Sequence, residues 1–94
     1  MENTQALVLI KAELGMAKQV AEAAAELAAV QWAAVVTGPY DVIAAIQVED
    51  NLALGNLVVD EIQKITGVKD PSTLVITEAY YGGGIALRGN EMFP

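Results

Sequence analysis

The sequence predicts an α+β domain in which two helices cover one face of a four-stranded antiparallel sheet, and three patterns carry that prediction. Four short apolar, β-branched runs and two stretches of helical periodicity follow one another as strand, helix, strand, strand, helix, strand. Between the second and third runs stands the turn Gly38-Pro39-Tyr40-Asp41, with the Pro and Gly chemistry of a tight reversal. Finally, the first and third runs are apolar on both of their alternating faces, which a sheet with one wet side does not require.

From Gln5 to Glu13 the chain alternates, with Ala6, Val8, Ile10 and Ala12 on one face and Leu7, Leu9 and Lys11 on the other. Gly15 breaks this strand. Met16 to Ala29 is rich in Ala, Glu and Leu, with Met16, Val20, Ala23, Ala24 and Leu27 at helical spacing and Lys18, Glu22 and Glu26 turned to water. Small side chains on the apolar stripe let that helix lie close to a sheet. The second strand spans Gln31 to Thr37 and the third Val42 to Glu49, the latter with Val42, Ala44, Ile46 and Val48 on one face and Ile43, Ala45 and Gln47 on the other. Asp50 or Asn51 caps the next helix by accepting from a first-turn N–H group. Its stripe is Leu54, Leu57, Val58, Ile62 and Ile65, opposite Asp60, Glu61 and Lys64, and Gly67 closes it. After the turn at Asp70-Pro71, Ser72 to Thr77 reads as the fourth strand.

This element order is the ferredoxin-like βαββαβ arrangement. Whichever alternate set faces the helices, the other set keeps Leu7, Leu9, Ile43, Ala45 and one of Val35 and Val75. Such a face has to be covered. Two copies stacked sheet to sheet cover it symmetrically, a dimeric α/β sandwich of the dimeric α+β barrel type. Residues 1–78 form the domain, and residues 79–94 form a tail hinged at Gly82-Gly83-Gly84, whose apolar run Ile85-Ala86-Leu87 docks on a neighbouring subunit or on its own domain.

Composition removes most chemistries. The 94 residues contain no Cys and no His, so disulfides, thiolate chemistry, the usual transition-metal ligands and the commonest general base are all absent. Ser72, the one serine, has no imidazole to activate it. No metal, cofactor or catalytic residue is expected. The net charge of -7 repels a phosphate backbone, so no direct nucleic-acid partner is expected. No apolar run approaches the roughly 20 residues of a membrane span and the amino terminus lacks a signal-peptide pattern, so the expected location is the cytoplasm.

The hairpin tip is the candidate site. Asp41 sits where the chain re-enters an apolar strand, beside the ring and hydroxyl of Tyr40. Backbone N–H groups for a carboxylate, the Asp41 carboxylate for an ammonium group and Tyr40 as an aromatic wall match the needs of a free amino acid. The same four residues also make an ordinary turn whose Asp bonds its own backbone. Trp32 reads as a core or interface anchor, Glu22 with Glu26 and Asp60 with Glu61 as solvated helix faces, and the three glycines as a hinge without the lysine of a phosphate loop.

Several stretches resemble the effector-binding (RAM) domain of the Lrp/AsnC transcriptional regulators. They are the strand Ala6 to Lys11 followed by Gly15, Val-Val-Thr-Gly-Pro-Tyr-Asp-Val at Val35 to Val42, the helix end Ile62 to Val68, and Thr73-Leu74-Val75-Ile76. The resemblance implies the same βαββαβ fold, homodimers, rings of dimers, and amino-acid effectors bound between dimers near this turn, with Thr37, Gly38, Pro39, Tyr40, Asp41 and Thr73 as ligand-binding residues. Family regulators carry an amino-terminal helix-turn-helix domain, whereas only about five residues precede the first strand here. The chain therefore reads as a stand-alone effector domain, a non-enzymatic sensing module that also has the option of co-assembling with a full-length relative. The alternative is a small cofactor-independent enzyme of the dimeric α+β barrel type, against which the missing His argues.

Overall fold

The computed structural model describes residues 3–82. Strand β1 (Thr4–Ile10) leads to helix α1 (Ala17–Ala25), then β2 (Val30–Val35) and β3 (Val42–Val48). Helix α2 (Asn51–Leu57) runs on through a π-helical segment at Val58–Ile62, and β4 (Ser72–Ile76) closes the sheet. All neighbouring strands pair antiparallel in the order β2-β3-β1-β4, the ferredoxin-like α+β topology that the element order predicts. The Gly83 and Gly84 part of the expected hinge and the run Ile85-Ala86-Leu87 lie outside the described residues.

The core forms where the helices meet the sheet. Ala6, Val8 and Ile10 of β1 and Val42, Ala44 and Ile46 of β3 are buried against Val20, Ala21 and Ala24 of α1 and against Leu54, Leu57 and Ile62. The stripe on α1 thus passes through Ala21 rather than Ala23, and the helix stops at Ala25 instead of Ala29. Glu26 and Leu27 tighten the last turn by donating to the carbonyls of Ala23 and Ala24, which frees Ala28 and Ala29 to turn the chain into β2. Asp50 is the N-cap of α2, accepting from the Ala53 N–H at 2.8 Å. In the π segment the Gln63 N–H donates to the Val58 carbonyl, so one extra residue is wound in and Ile62 follows Leu57 into the core while Glu61 stays exposed.

The first strand ends at Ile10, short of the expected Glu13, yet its continuation is not free. Ala12 bridges Val68, Glu13 donates to the Gly67 carbonyl at 2.7 Å, and Lys69 donates to the Lys11 carbonyl at 2.8 Å. Gly67 also lets this segment pack closely against the start of α1. Its φ is +98°, and a Cβ there would stand 3.0 Å from Met16 Cε and 3.1 Å from Val20 Cγ2.

The sheet face away from the helices is apolar over its central rows and polar at one end, where Gln5 pairs with Gln47. Across it run a row of Trp32, Ala45, Leu7 and Leu74 and a row of Ala34, Ile43, Leu9 and Ser72. Leu74 is 51% exposed, whereas Ala45, small and flanked in its row by Trp32 and Leu7, is only 3% exposed. Val35 and Val75 are not on this face, because they pair with Val42 and Ala6 and point to the helix side. A β-bulge between Val30 and Trp32 decides which face the tryptophan takes. Strict alternation would put Trp32 beside Val30 over the core, and the extra residue moves it to the open face.

Candidate functional site

Residues 36–41 join β2 to β3, and the loop is tied down at Asp41. The Val36 N–H donates to the Asp41 carbonyl and the Asp41 N–H donates to the Ile10 carbonyl, each at 2.9 Å. The Asp41 carboxylate accepts the Ala12 N–H through Oδ2 at 2.8 Å. Asp41 therefore bonds the backbone of the β1–α1 connection and fixes the hairpin to it. A carboxylate has about four acceptor positions, so this bond leaves capacity for a further donor. Gly38 has φ +134°, a conformation that any side chain would strain.

Tyr40 lies on the other flank of the hairpin. Its hydroxyl is 3.4 Å from Ser72 Oγ, and the Lys11 ammonium stands 5.9 Å from its ring centroid. Thr37, Gly38 and Pro39 are exposed at the tip. Thr73 is not brought to the hairpin within one protomer. Its neighbour Ser72 shares the open face with Leu9 and meets Tyr40, while Thr73 pairs with Val8 on the helix side. There Thr73 lines an apolar groove of about 340 Å³ with Asn51, Leu54, Gly55, Val58, Val59 and Val75.

Between the hairpin and the β1–α1 turn lies a second groove, of about 580 Å³, that sequence reasoning did not anticipate. Asp41 and Glu13 give it negative charge, Lys18 and Lys69 positive charge, and Leu14, Ala17 and Val35 an apolar wall. Glu13, Lys18 and Lys69 come from three separate elements, and their sequence neighbourhoods carry no motif. Only the bridge from residues 11–13 to residues 67–69 assembles them. Among the described residues, no group of three His, Cys, Asp or Glu side chains is disposed to hold a metal ion. Nor is any helix there long and apolar enough to cross a membrane.

With this architecture in view, the profile of the Lrp/AsnC ligand binding domain matches residues 5–84. The chain belongs to that family. The Thermus thermophilus protein TTHA0845 is 34% identical, with a TM-score of 0.77 over 84% of this chain and 99% of its own. Escherichia coli AsnC, at 18% identity and a TM-score of 0.77, shares the fold over 84% of this chain, which spans 54% of AsnC. The Neisseria meningitidis transcriptional regulator NMB0573, solved as an L-Met complex, also has 18% identity, with a TM-score of 0.75, and this Lrp/AsnC-type domain spans 53% of it. No curated protein sequence gives a significant match.

Proposed function

We propose that this Lrp/AsnC-type domain is a non-enzymatic, cytoplasmic sensing module that binds a free amino acid in the groove beside the hairpin and works as an oligomer of sheet-to-sheet dimers. The observation that carries the reading is the composition of that groove, in which carboxylates, ammonium groups and an apolar wall stand together. A zwitterion needs both charge signs within a few ångströms, and an apolar side chain needs the third element. Asp41 is the ammonium partner, with Lys18 or Lys69 facing the ligand carboxylate. The exposed residues Thr37, Gly38 and Pro39 stand on the same hairpin as Asp41, whereas Tyr40 and Thr73 lie away from this groove within one protomer. The L-Met carried by the Neisseria regulator supports an amino acid as the ligand class.

The dimer rests on the open face, where Leu7, Leu9, Trp32, Ile43 and Leu74 form a continuous apolar surface on a small domain. A ligand that binds only the folded state raises the melting temperature. Thermal-shift measurements against the twenty amino acids are expected to single out one or a few of them. A flat response across all twenty at millimolar concentration would sink the amino-acid reading.

A further inference from the structure

On the helix side of β4, an edge strand of the sheet, lies the apolar groove of about 340 Å³ walled by Leu54, Gly55, Val58, Val59 and Val75. Val59 and Val75 are 55% and 47% exposed, and Gly55 has nothing within 4 Å of the place a Cβ would take. The rim is acidic, with Asp60 and Glu61 exposed just past Val59 and Glu49 and Asp50 exposed just before α2. A concave apolar surface ringed by charge suits an apolar segment that carries the opposite charge at its end. The chain itself contains one. β4 ends at Ile76, which pairs with Gln5, next to the pairing of Thr4 with Val48, so it ends where α2 begins at Asn51. The described residues continue to Gly82, and Gly-Gly-Ile-Ala-Leu-Arg follows at residues 83–88. At about 3.3 Å per extended residue, residues 77–84 can cover about 26 Å, whereas the groove from Asn51 to Val59 is about 12 Å long at 1.5 Å per helical residue. Ile85 and Leu87, two positions apart, share one side of an extended segment, and Arg88, the one arginine of this acidic chain, follows them.

We infer that residues 85–88 fold back into the α2–β4 groove of their own chain, with Ile85 and Leu87 against Leu54, Val58, Val59 and Val75 and Arg88 against Asp60 and Glu61. The segment enters at the Asn51 end and runs antiparallel to β4, an order that brings Arg88 past Val59 to those two acids. There the guanidinium can engage a carboxylate through two parallel hydrogen bonds. Tethering favours the chain's own segment over a foreign one, because a short flexible link holds it at an effective concentration on the order of millimolar. The segment then acts as a strap that covers the groove and holds α2 to the edge of the sheet. The contact uses no residue of the dimer face or of the groove beside Asp41, so it stands or falls apart from the amino-acid reading.

Because the chain has no Cys, paired cysteine substitutions in the full chain report one contact at a time. Val59→Cys is combined with Ile85→Cys in one variant and with Leu87→Cys in another, and each is oxidised with glutathione disulfide at micromolar protein. At least one pairing is expected to close a disulfide within a single 9.9 kDa chain, seen as a change in its mobility that reduction reverses. Glu22→Cys, on the exposed side of α1, should link to Leu87→Cys about tenfold more slowly. Adding Arg88→Glu to the linking pair should slow closure several-fold, and adding Asp60→Lys with Glu61→Lys to that variant should restore it. Val59 and Glu22 are both exposed, so reduced variants should melt as the original does. The inference is overturned if neither pairing links, which is the outcome for a groove reserved for a foreign segment. It is overturned equally if links form only between chains, if Glu22→Cys links as fast as Val59→Cys, or if Arg88→Glu leaves the rate unchanged.

Discussion

Asp41 has two roles to separate, a strut between two loops and an ammonium partner, and Asp41→Asn beside Asp41→Ala separates them. The alanine variant leaves the Ala12 N–H without the acceptor it has at 2.8 Å. A hydrogen bond to a charged group contributes about 1.5–3 kcal/mol, and because Asp41 is only half-buried the low end, about 1.5 kcal/mol, applies. For a domain of this size that lowers the melting temperature by about 6–12 °C. The asparagine amide oxygen still accepts from Ala12, so its cost is about 0.5 kcal/mol and about 2–4 °C. Ligand binding responds differently, since both variants remove the negative charge. An ammonium group left without its partner costs about 2–5 kcal/mol, and in an open groove the lower figure is expected, a loss of about 30-fold in affinity. Calorimetric titration with the amino acid that gives the largest thermal shift, run with melting curves at one protein concentration, reads both effects. Unchanged affinity in Asp41→Asn would refute the ammonium role, and an unchanged melting temperature in Asp41→Ala would refute the strut.

Leu9 pairs directly with Ile43 on the open face, so Leu9→Lys introduces a charge into the proposed dimer interface and should yield single chains by light scattering; an intact dimer would rule that face out. Gly67→Ala combines a φ of +98° with a Cβ 3.0 Å from Met16, and a loss of about 1–3 kcal/mol in denaturant unfolding is expected, whereas native stability would show that α1 shifts freely. With a net charge of -7, the 94-residue chain should give no mobility shift with duplex DNA at physiological salt, and a salt-dependent complex would contradict the electrostatic argument.

The site was legible only where its chemistry is local. The turn at residues 38–41 could be read because glycine and proline impose their backbone angles wherever they stand, and Gly38 does adopt a positive φ. The partner of the Asp41 carboxylate could not, because Ala12 is separated from it by 29 positions and an alanine N–H carries no signal in sequence. Glu13, Lys18 and Lys69 were invisible as a set for the same reason. Thr73, inferred from resemblance, stands in a different groove of the protomer from the hairpin.

By itself the sequence determined the order of elements, the βαββαβ topology, the apolar character of both sheet faces and the exclusion of Cys and His chemistry, because periodicity, turn residues and composition act over a few positions. Tertiary structure alone decided which face each residue took and which loops met. The bulge after Val30 turned Trp32 out of the core, and β4 pairing put Val75 on the helix side and Leu74 on the open one. A strand's alternation has two equivalent settings until a partner strand fixes the register, and one inserted residue exchanges them. The mixed-charge groove has the same origin, since hydrogen bonds from residues 11–13 to residues 67–69 are long-range pairings that no local pattern encodes.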